Sequence, residues 1–340
     1  MKKKGIVLAA VAVVILAAVI ICDFLFNKTV SDTFLAMSTT VSAELTGLKS
    51  EDALKEIKEE IIHLDEKLLS RTNVNSEIYA VNNGETKISD ELIMLLTVLK
   101  EVEQESGGAF CIGVAQLTDL WGIGTESARV PDEAEIKTAI ENCRDWSIDY
   151  DSKTVHLPEG VKLDLGAVGK GIACDYACKI ASDLNCKESV VAVGGSVLLD
   201  GTGKKTTFKV GIRDPLGEAN EYCAVLEIGE ACVSTSGNYE RFFEDESGKR
   251  YHHIFDPSTG YPADSGLLSV TVVAKSGTIS DALSTACFVL GIEKSLPLLE
   301  RYNAEAVFIT EDKQIITTYG ELENETITVT NDSYTLGEAK

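Results

Sequence analysis

The stretch over 161–178, VKLDLGAVGKGIACDYAC, constrains this chain more than any other. It reads as a short strand over 161–165, a glycine-rich turn over 166–171 and a helix beginning near Ile172. Gly166, Gly169 and Gly171 let a backbone come close to a ligand or take up positive φ. A strand that turns directly into a helix leaves free N–H groups and a positive dipole end at the turn, which is a seat for phosphate. Asp164 can offer carboxylate oxygens there, and Lys170 a cation. Two common phosphate loops are excluded. GxxxxGK[ST] fails because Lys170 is followed by Gly171, and GxGxxG or GxGxxA fails because Cys174 stands three places after Gly171. A tight strand–helix connection without a ligand fits the same residues, so the rest of the chain has to decide.

A chain of 340 residues allows one large domain or two ordinary ones, and 44% hydrophobic content suffices for a core. Formal net charge is −23, from 31 basic and 54 acidic residues. That balance argues against nucleic acid and anionic lipid as partners of the folded part. It also requires local cations or a metal wherever a nucleotide binds. The N-terminus is Met1-Lys2-Lys3-Lys4, followed by an uncharged apolar run over 5–22. Such a run is about long enough to cross a bilayer as a helix (~17–25 residues), and the lysines favour a cytoplasmic N-terminus. No A-x-A pattern follows Ala18, and Ile21 precedes Cys22 where a lipoprotein signal wants a small residue. The expectation is an anchor or uncleaved signal over 1–26, with an exported remainder over 27–340 on the extracytoplasmic side of the cell membrane. A lipid anchor on Cys22 stays open. The nine cysteines are scattered and odd in number, unlike a disulfide framework. Cys174 and Cys178 share a helix face but lack partners at zinc-ligand spacing. Most of the thiols read as small buried hydrophobes, in an export compartment that stays reducing.

Coarse periodicity predicts a strand over 34–48, a helix over 51–70 and a second helix over 89–105 with Ser89 or Asp90 as N-cap. A short helix covers 131–142, and Trp121 packs in a core. Later segments over 190–197, 207–212, 223–228, 267–274 and 306–309 read as strands, and 279–290 and 292–302 as helices. The soluble part is expected to be one α+β domain with mixed or antiparallel sheets and packed helices.

Four further stretches carry chemistry. Val193-Gly194-Gly195-Ser196 ends an apolar strand with paired glycines, which suits a phosphate, a flat ring or a plain turn. STSGNYERF over 234–242 is dense in hydroxyls and suits a loop lining a polar ligand, or a surface turn. YHHIFDPSTGYP over 251–262 holds two of the four histidines beside a turn signature. In an extended chain His252 and His253 point to opposite faces, so one of them can serve proton transfer. In SDALST over 280–285, Asp281 and Thr285 stand at i and i+4 on one helix face and offer two hard oxygens. Magnesium takes few protein ligands and completes its shell with waters and phosphates. Ser280 as N-cap with Asp281 favouring the dipole accounts for the same residues.

Taken together, LDLGAVGKG, VAVGGS, the GIRDP over 211–215, STSGNYERFF, HHIFDPSTGYP and ISDALSTACFVLG resemble the ApbE family, the FAD:protein FMN transferases, from about Met37 to at least Gly291. The resemblance implies binding of FAD with Mg²⁺. The FMN portion passes to a threonine or serine hydroxyl of an acceptor protein, AMP is released, and a phosphoester bond remains. It implies that Asp164 and Lys170 contact FAD, that Ala167 gives its carbonyl to the metal, and that Asp281 and Thr285 supply its side-chain ligands. Met37, Thr72, Ala109, Phe110, Cys111 and Phe255 fall on flavin-contacting positions. Three of these depart from the family: Cys111 replaces an Asp, Thr72 a stacking aromatic, and Phe255 an aliphatic residue. His253 is the implied acid/base. The acceptors implied for a tethered, exported enzyme are membrane or extracytoplasmic electron-transfer proteins. An FAD pyrophosphatase using water, and a non-catalytic flavin binder, are the competing readings.

Overall fold

The computed structural model describes residues 13, 15, 16, 26–141, 143, 145–201, 207–218, 220–319 and 326–339. Apart from residues 13, 15, 16 and 26, the expected membrane segment lies outside the described residues, as does Cys22. Among the described residues no helix is long and apolar enough to cross a membrane.

Nine strands form the main sheet, in the order β1 (Thr29–Ala36), β2 (Thr39–Thr46), β5 (Glu188–Val193), β6 (Ser196–Gly201), β9 (Ala231–Gly237), β12 (Leu267–Ala274), β13 (Glu305–Thr310), β14 (Gln314–Thr317) and β16 (Thr335–Glu338). Neighbours are antiparallel except β14 and β16, which run parallel. A second sheet joins β15 (Thr326–Val329), β8 (Tyr222–Ile228) and β7 (Phe208–Arg213). Two hairpins stand apart: β3 (Ser147–Asp149) with β4 (Thr154–His156), and β10 (Phe242–Glu244) with β11 (Arg250–His252). The helices are α1 (Ser50–His63), continued by a π-helical turn (Leu64–Leu69), then α2 (Glu77–Asn82), α3 (Asp90–Glu105), α4 (Ala115–Trp121), α5 (Glu133–Glu141), α6 (Gly169–Asp183), α7 (Gly277–Leu290) and α8 (Ile292–Tyr302).

Side-chain alternation explains the layering. Successive residues of a strand point to opposite faces, and β13 uses both. Ala306 and Phe308 join the helix-side core, while Val307 and Ile309 join the core under the three-stranded sheet. Both faces of β12 are therefore covered, and all eight of its residues are buried. A third cluster gathers Trp121, Leu117, Ile136, Cys111, Tyr251 and Phe255 around α4 and α5. Trp121 donates its indole N–H to the Gly260 carbonyl at 2.9 Å, so the ring is buried without an orphaned donor.

Several expectations need correction. The single strand over 34–48 is a hairpin, β1–β2, whose two-residue turn Met37-Ser38 has φ of 52° and 57°. Non-glycine residues rarely adopt that geometry. The turn is held from outside, because the Met37 N–H donates to Asp65 Oδ2 at 2.6 Å. Likewise 190–197 is two strands about a Gly194-Gly195 turn. Residues 161–165 join no sheet. Their hydrogen bonds go to the Asn82 carboxamide, which brackets Leu163, and to the Ile112 carbonyl, which accepts from the Asp164 N–H at 2.7 Å. STSG is the end of β9 rather than a loop. The helix over 51–70 ends its regular turn at His63 and widens into the π-turn. Ser89 caps α3 as expected, accepting from the Leu92 N–H at 3.1 Å. Of the eight described cysteines, all but Cys178 are buried.

Candidate active site

The site grows from the crossing of α6 and α7. Both helices carry glycine at the contact. A Cβ on Gly171 would sit 2.0 Å from the Gly277 carbonyl oxygen, and one on Gly277 would sit 2.3 Å from the Gly171 carbonyl oxygen. Only a backbone without side chains permits that approach. It brings the start of α6 onto the first turns of α7. Ser276, and not Ser280, caps α7, accepting from the Ile279 N–H at 3.3 Å. Asp281 therefore lies inside the helix, where a dipole-capping role does not apply.

Asp281 is 2% exposed, and its Oδ2 accepts the Gly171 N–H at 2.9 Å and lies 3.4 Å from Lys170 Nζ. The Gly171 N–H would otherwise turn back to the carbonyl four residues earlier, that of Ala167. Its diversion to Asp281 leaves the Ala167 carbonyl with no backbone donor among the described residues. Asp281 Oδ1 likewise has no protein partner among them. Thr285 follows one turn later, its hydroxyl 3.3 Å from Ser236 Oγ and 3.5 Å from the Asp281 carbonyl. An unpartnered carboxylate oxygen of Asp281, a free carbonyl and a hydroxyl form a hard-oxygen donor set. Lys170 already holds a positive charge against the carboxylate. Among the described residues no cluster of three or more His, Cys, Asp or Glu could hold a metal. Three oxygen donors of this kind could hold a cation that draws most of its shell from water and phosphate, as Mg²⁺ does.

The hydroxyls of β9 fasten α7 to the sheet. Ser234 reaches Ser280 at 2.8 Å and Ser196 at 3.0 Å, and Ser236 reaches Ser284 at 2.7 Å. The two hairpin tips close the same end of the sheet. Gly194 has φ +56°, and a Cβ there would sit 2.8 Å from Thr39 Oγ1 and 3.4 Å from Lys170 Cδ. The Met37–Thr39 tip, the glycine pair and Lys170 are therefore neighbours. Val168 gives α6 no side-chain cap, so the helix start keeps its positive end toward this space.

The two histidines are separated by their hydrogen bonds. His252 is buried, with Nε2 3.0 Å from the Ala263 carbonyl and Nδ1 accepting the Ile254 N–H at 3.3 Å. Both ring nitrogens are engaged, and the ring lies edge-on to Phe288. His253 bonds through Nδ1 to the Arg241 carbonyl at 3.2 Å. A carbonyl oxygen only accepts, so Nδ1 carries the proton and the Nε2 lone pair is left over. Burial, and then the nearby charges of Arg241, His252 and Lys170, press its pKa down to about 4. The ring is neutral near pH 7.

The expected flavin positions fall in two environments. Met37 is partly buried at the hairpin tip, and Thr72 is exposed, folded back onto Ser70. Ala109, Phe110, Cys111 and Phe255 are buried, with the Phe110 side chain in the main core and Cys111 and Phe255 in the Trp121 cluster. Cys111 donates its thiol to the Cys143 carbonyl at 3.2 Å, and burial raises its pKa, so it is a neutral donor. Asp164 spends Oδ1 on the Gly166 N–H at 2.9 Å and Oδ2 on Arg71 at 3.1 Å. Sequence reasoning passed over Arg71, Asp65 and Asp175. Asp175 accepts from Ser276 Oγ at 2.8 Å and from the Gly277 and Thr278 N–H groups at 2.5 and 2.9 Å. None of the three has a spacing or motif that signals a partner, and only the fold brings one to it.

A sequence model of the ApbE family matches residues 37–308. The chain is 34% identical over 284 residues to the FAD:protein FMN transferase of Treponema pallidum, covering 75% of this chain and 76% of that one. It is 30% identical over 298 residues to the FAD:protein FMN transferase of Klebsiella pneumoniae, covering 85% and 92%. The fold matches the crystal structure of the ApbE protein of Thermotoga maritima with TM-score 0.77 at 31% identity, covering 84% of this chain and 95% of that one. It matches the Pseudomonas stutzeri flavinyl transferase ApbE with TM-score 0.72 at 27% identity, covering 89% and 94%.

Proposed function

The chain belongs to the ApbE family, and we propose that it is an FAD:protein FMN transferase that uses Mg²⁺. One observation carries the reading: the buried Asp281 carboxylate gathers the Gly171 N–H and Lys170 at the start of α6 and leaves the Ala167 carbonyl open. Phosphoryl transfer asks a protein mainly for positioning and charge stabilisation, and this arrangement offers both.

The acceptor's threonine or serine oxygen attacks the phosphorus on the flavin side of FAD. The bond from that phosphorus to the bridging oxygen breaks, and AMP leaves with the electron pair. Nε2 of His253 takes the hydroxyl proton, while the Arg241 carbonyl holds the ring in the tautomer that leaves Nε2 bare. Lys170 and the turn amides stabilise charge on the phosphate oxygens. The Ala167 carbonyl, Asp281 and Thr285 would hold Mg²⁺, which would supply further neutralisation of negative charge on the phosphates. Met37, Thr72, Ala109, Phe110, Cys111 and Phe255 border the flavin, and Asp164 shapes the turn beside it. We place the enzyme at the cell membrane with its catalytic part outside, because three lysines precede the uncharged run over 5–22. Its acceptors are then proteins of membrane or extracytoplasmic electron transfer.

The test is incubation of the protein with FAD, Mg²⁺ and a candidate acceptor, followed by mass spectrometry. Transfer gives an acceptor heavier by one FMN and an equal amount of AMP. Free FMN and AMP with an unmodified acceptor would assign the hydrolase instead, and bound FAD without turnover would leave a flavin carrier.

A further inference from the structure

Arg71 lies between two carboxylates from different parts of the fold. Its Nε is 3.1 Å from Asp164 Oδ2, and a terminal nitrogen is 2.8 Å from Asp119 Oδ1. Asp164 stands just before the glycine turn, Asp119 belongs to α4, and Arg71 to the loop that leaves the π-helical turn. That loop is already folded on itself, since Ser70 Oγ accepts the Thr72 and Asn73 N–H groups at 3.3 and 3.1 Å. The π-turn behind it touches the site twice more. Asp65 holds the Met37 N–H, and a Cβ on Gly169 would lie 3.9 Å from Leu69 Cδ1.

The energetics separate the two pairs. Asp119 is 58% exposed, so its pair with Arg71 contributes little by itself. Asp164 is 16% exposed and Arg71 24%. Their contact, with the Gly166 N–H on the other oxygen, commits the whole Asp164 carboxylate to shaping the turn. A guanidinium can make both contacts at once because its donors form a fixed fork, whereas an ammonium is a point charge.

We propose that Arg71 is a positioning residue for flavin-nucleotide binding: by bridging Asp164 and Asp119 it sets the glycine turn that takes the diphosphate against the loop over 70–75 and α4 beside the flavin. This rests on the proposed FAD-dependent activity of the same site. Arg71 acts through Asp164 and takes no part in the proton or phosphoryl transfer. Its loss therefore weakens substrate binding and spares the chemical step.

The experiment compares wild type with Arg71→Ala and Arg71→Lys, using flavin fluorescence to follow FAD binding and steady-state kinetics to follow transfer. Arg71→Ala is expected to raise the Kd and KM for FAD about tenfold or more, with kcat within about twofold and little change in Tm. Ethylguanidinium in the buffer is expected to restore FAD affinity to Arg71→Ala. Arg71→Lys, with a single contact in place of two, is expected to keep an intermediate Kd. Unchanged FAD affinity in Arg71→Ala would overturn the proposal. So would a loss of affinity that parallels a large fall in Tm and is not rescued by ethylguanidinium. A wild-type protein that binds FAD but transfers nothing would count against the transferase reading alone, because the binding comparison does not depend on turnover.

Discussion

Gly171 and Gly277 meet backbone to backbone, and the Asp281 carboxylate reaches the Gly171 N–H only because they do. A methyl group on Gly171 would stand 2.0 Å from the Gly277 carbonyl oxygen and 2.6 Å from Asp281 Cβ. Neither neighbour can swing aside, since one is backbone and the other is buried. Gly171→Ala must therefore push α6 and α7 apart. Overpacking a filled core costs about 1–3 kcal/mol, and a clash with backbone belongs at the upper end. The expected result is a lower denaturation midpoint together with lost Mg²⁺ binding. Gly169→Ala is the control, because a Cβ there meets only Leu69 Cδ1 at 3.9 Å. Equal stability of the two variants would show that the crossing is loose.

Asp281 and Lys170 are coupled in the same way. Asp281→Ala removes the carboxylate that engages both Lys170 and the Gly171 N–H, and turnover should disappear. The sharper test needs no turnover. If Asp281 is a ligand, Mg²⁺ should raise the Tm of the wild type by mass action and leave that of Asp281→Asn unmoved. An equal Mg²⁺ response in both proteins would remove Asp281 from the metal site.

The fold class, the glycine turn and the Asp281–Thr285 face were legible because they rest on local spacing. What stayed hidden depended on distant partners. Nothing in AMSTT announces a turn, since neither position holds glycine or asparagine, the residues that tolerate positive φ most readily. Asp65, 28 residues away, supplies the bond that holds it. The strand reading of 161–165 failed for a related reason, because the Asn82 carboxamide takes the place of a neighbouring strand. The hydroxyl-rich STSG looked like a ligand loop because its partners, Ser280 and Ser284, lie on a helix more than forty residues on. Sequence also left the two histidines equivalent, apart from the resemblance. Their hydrogen-bond partners distinguish them.

That distinction gives a pH prediction. His253 titrates at about 4 in the folded protein, against 6.5 for a free imidazole. Above pH 6.5 the ring is neutral in both folded and unfolded states, and its contribution to stability is complete. As pH falls from 6.5 toward 4 the unfolded chain binds the proton first, so stability declines through that window and then levels off. Burial lowers His252 as well, which adds in the same direction. Transfer should therefore keep its neutral base down to about pH 4, and the acid limb of kcat/KM should lie well below 6.5. His253→Ala should cut transfer by ~10²–10⁴-fold. His252→Ala should lower Tm, by orphaning the Ala263 carbonyl and the Ile254 N–H, with much less effect on kcat. Equal kinetic losses would mean that neither ring is the base.

Asp175 offers the cleanest separation of scaffold from chemistry. Its carboxylate takes the Gly277 and Thr278 N–H groups and the Ser276 and Thr278 hydroxyls. It thus caps α7 from a neighbouring helix, with its negative charge at the positive helix end. Losing an N-terminal cap typically costs about 0.5–2 kcal/mol, and the charge on the dipole adds to this. Asp175→Ala should fall near the top of that range, and Asp175→Asn should recover part of it by keeping acceptor geometry without the charge. Asp175 makes no contact with Lys170 or Thr285 among its hydrogen bonds. FAD affinity and kcat measured well below the new Tm should therefore stay close to wild type. If kcat instead falls by an order of magnitude while the protein remains folded, the start of α7 is poised by Asp175 for the reaction, and cap and active site form one mechanical unit.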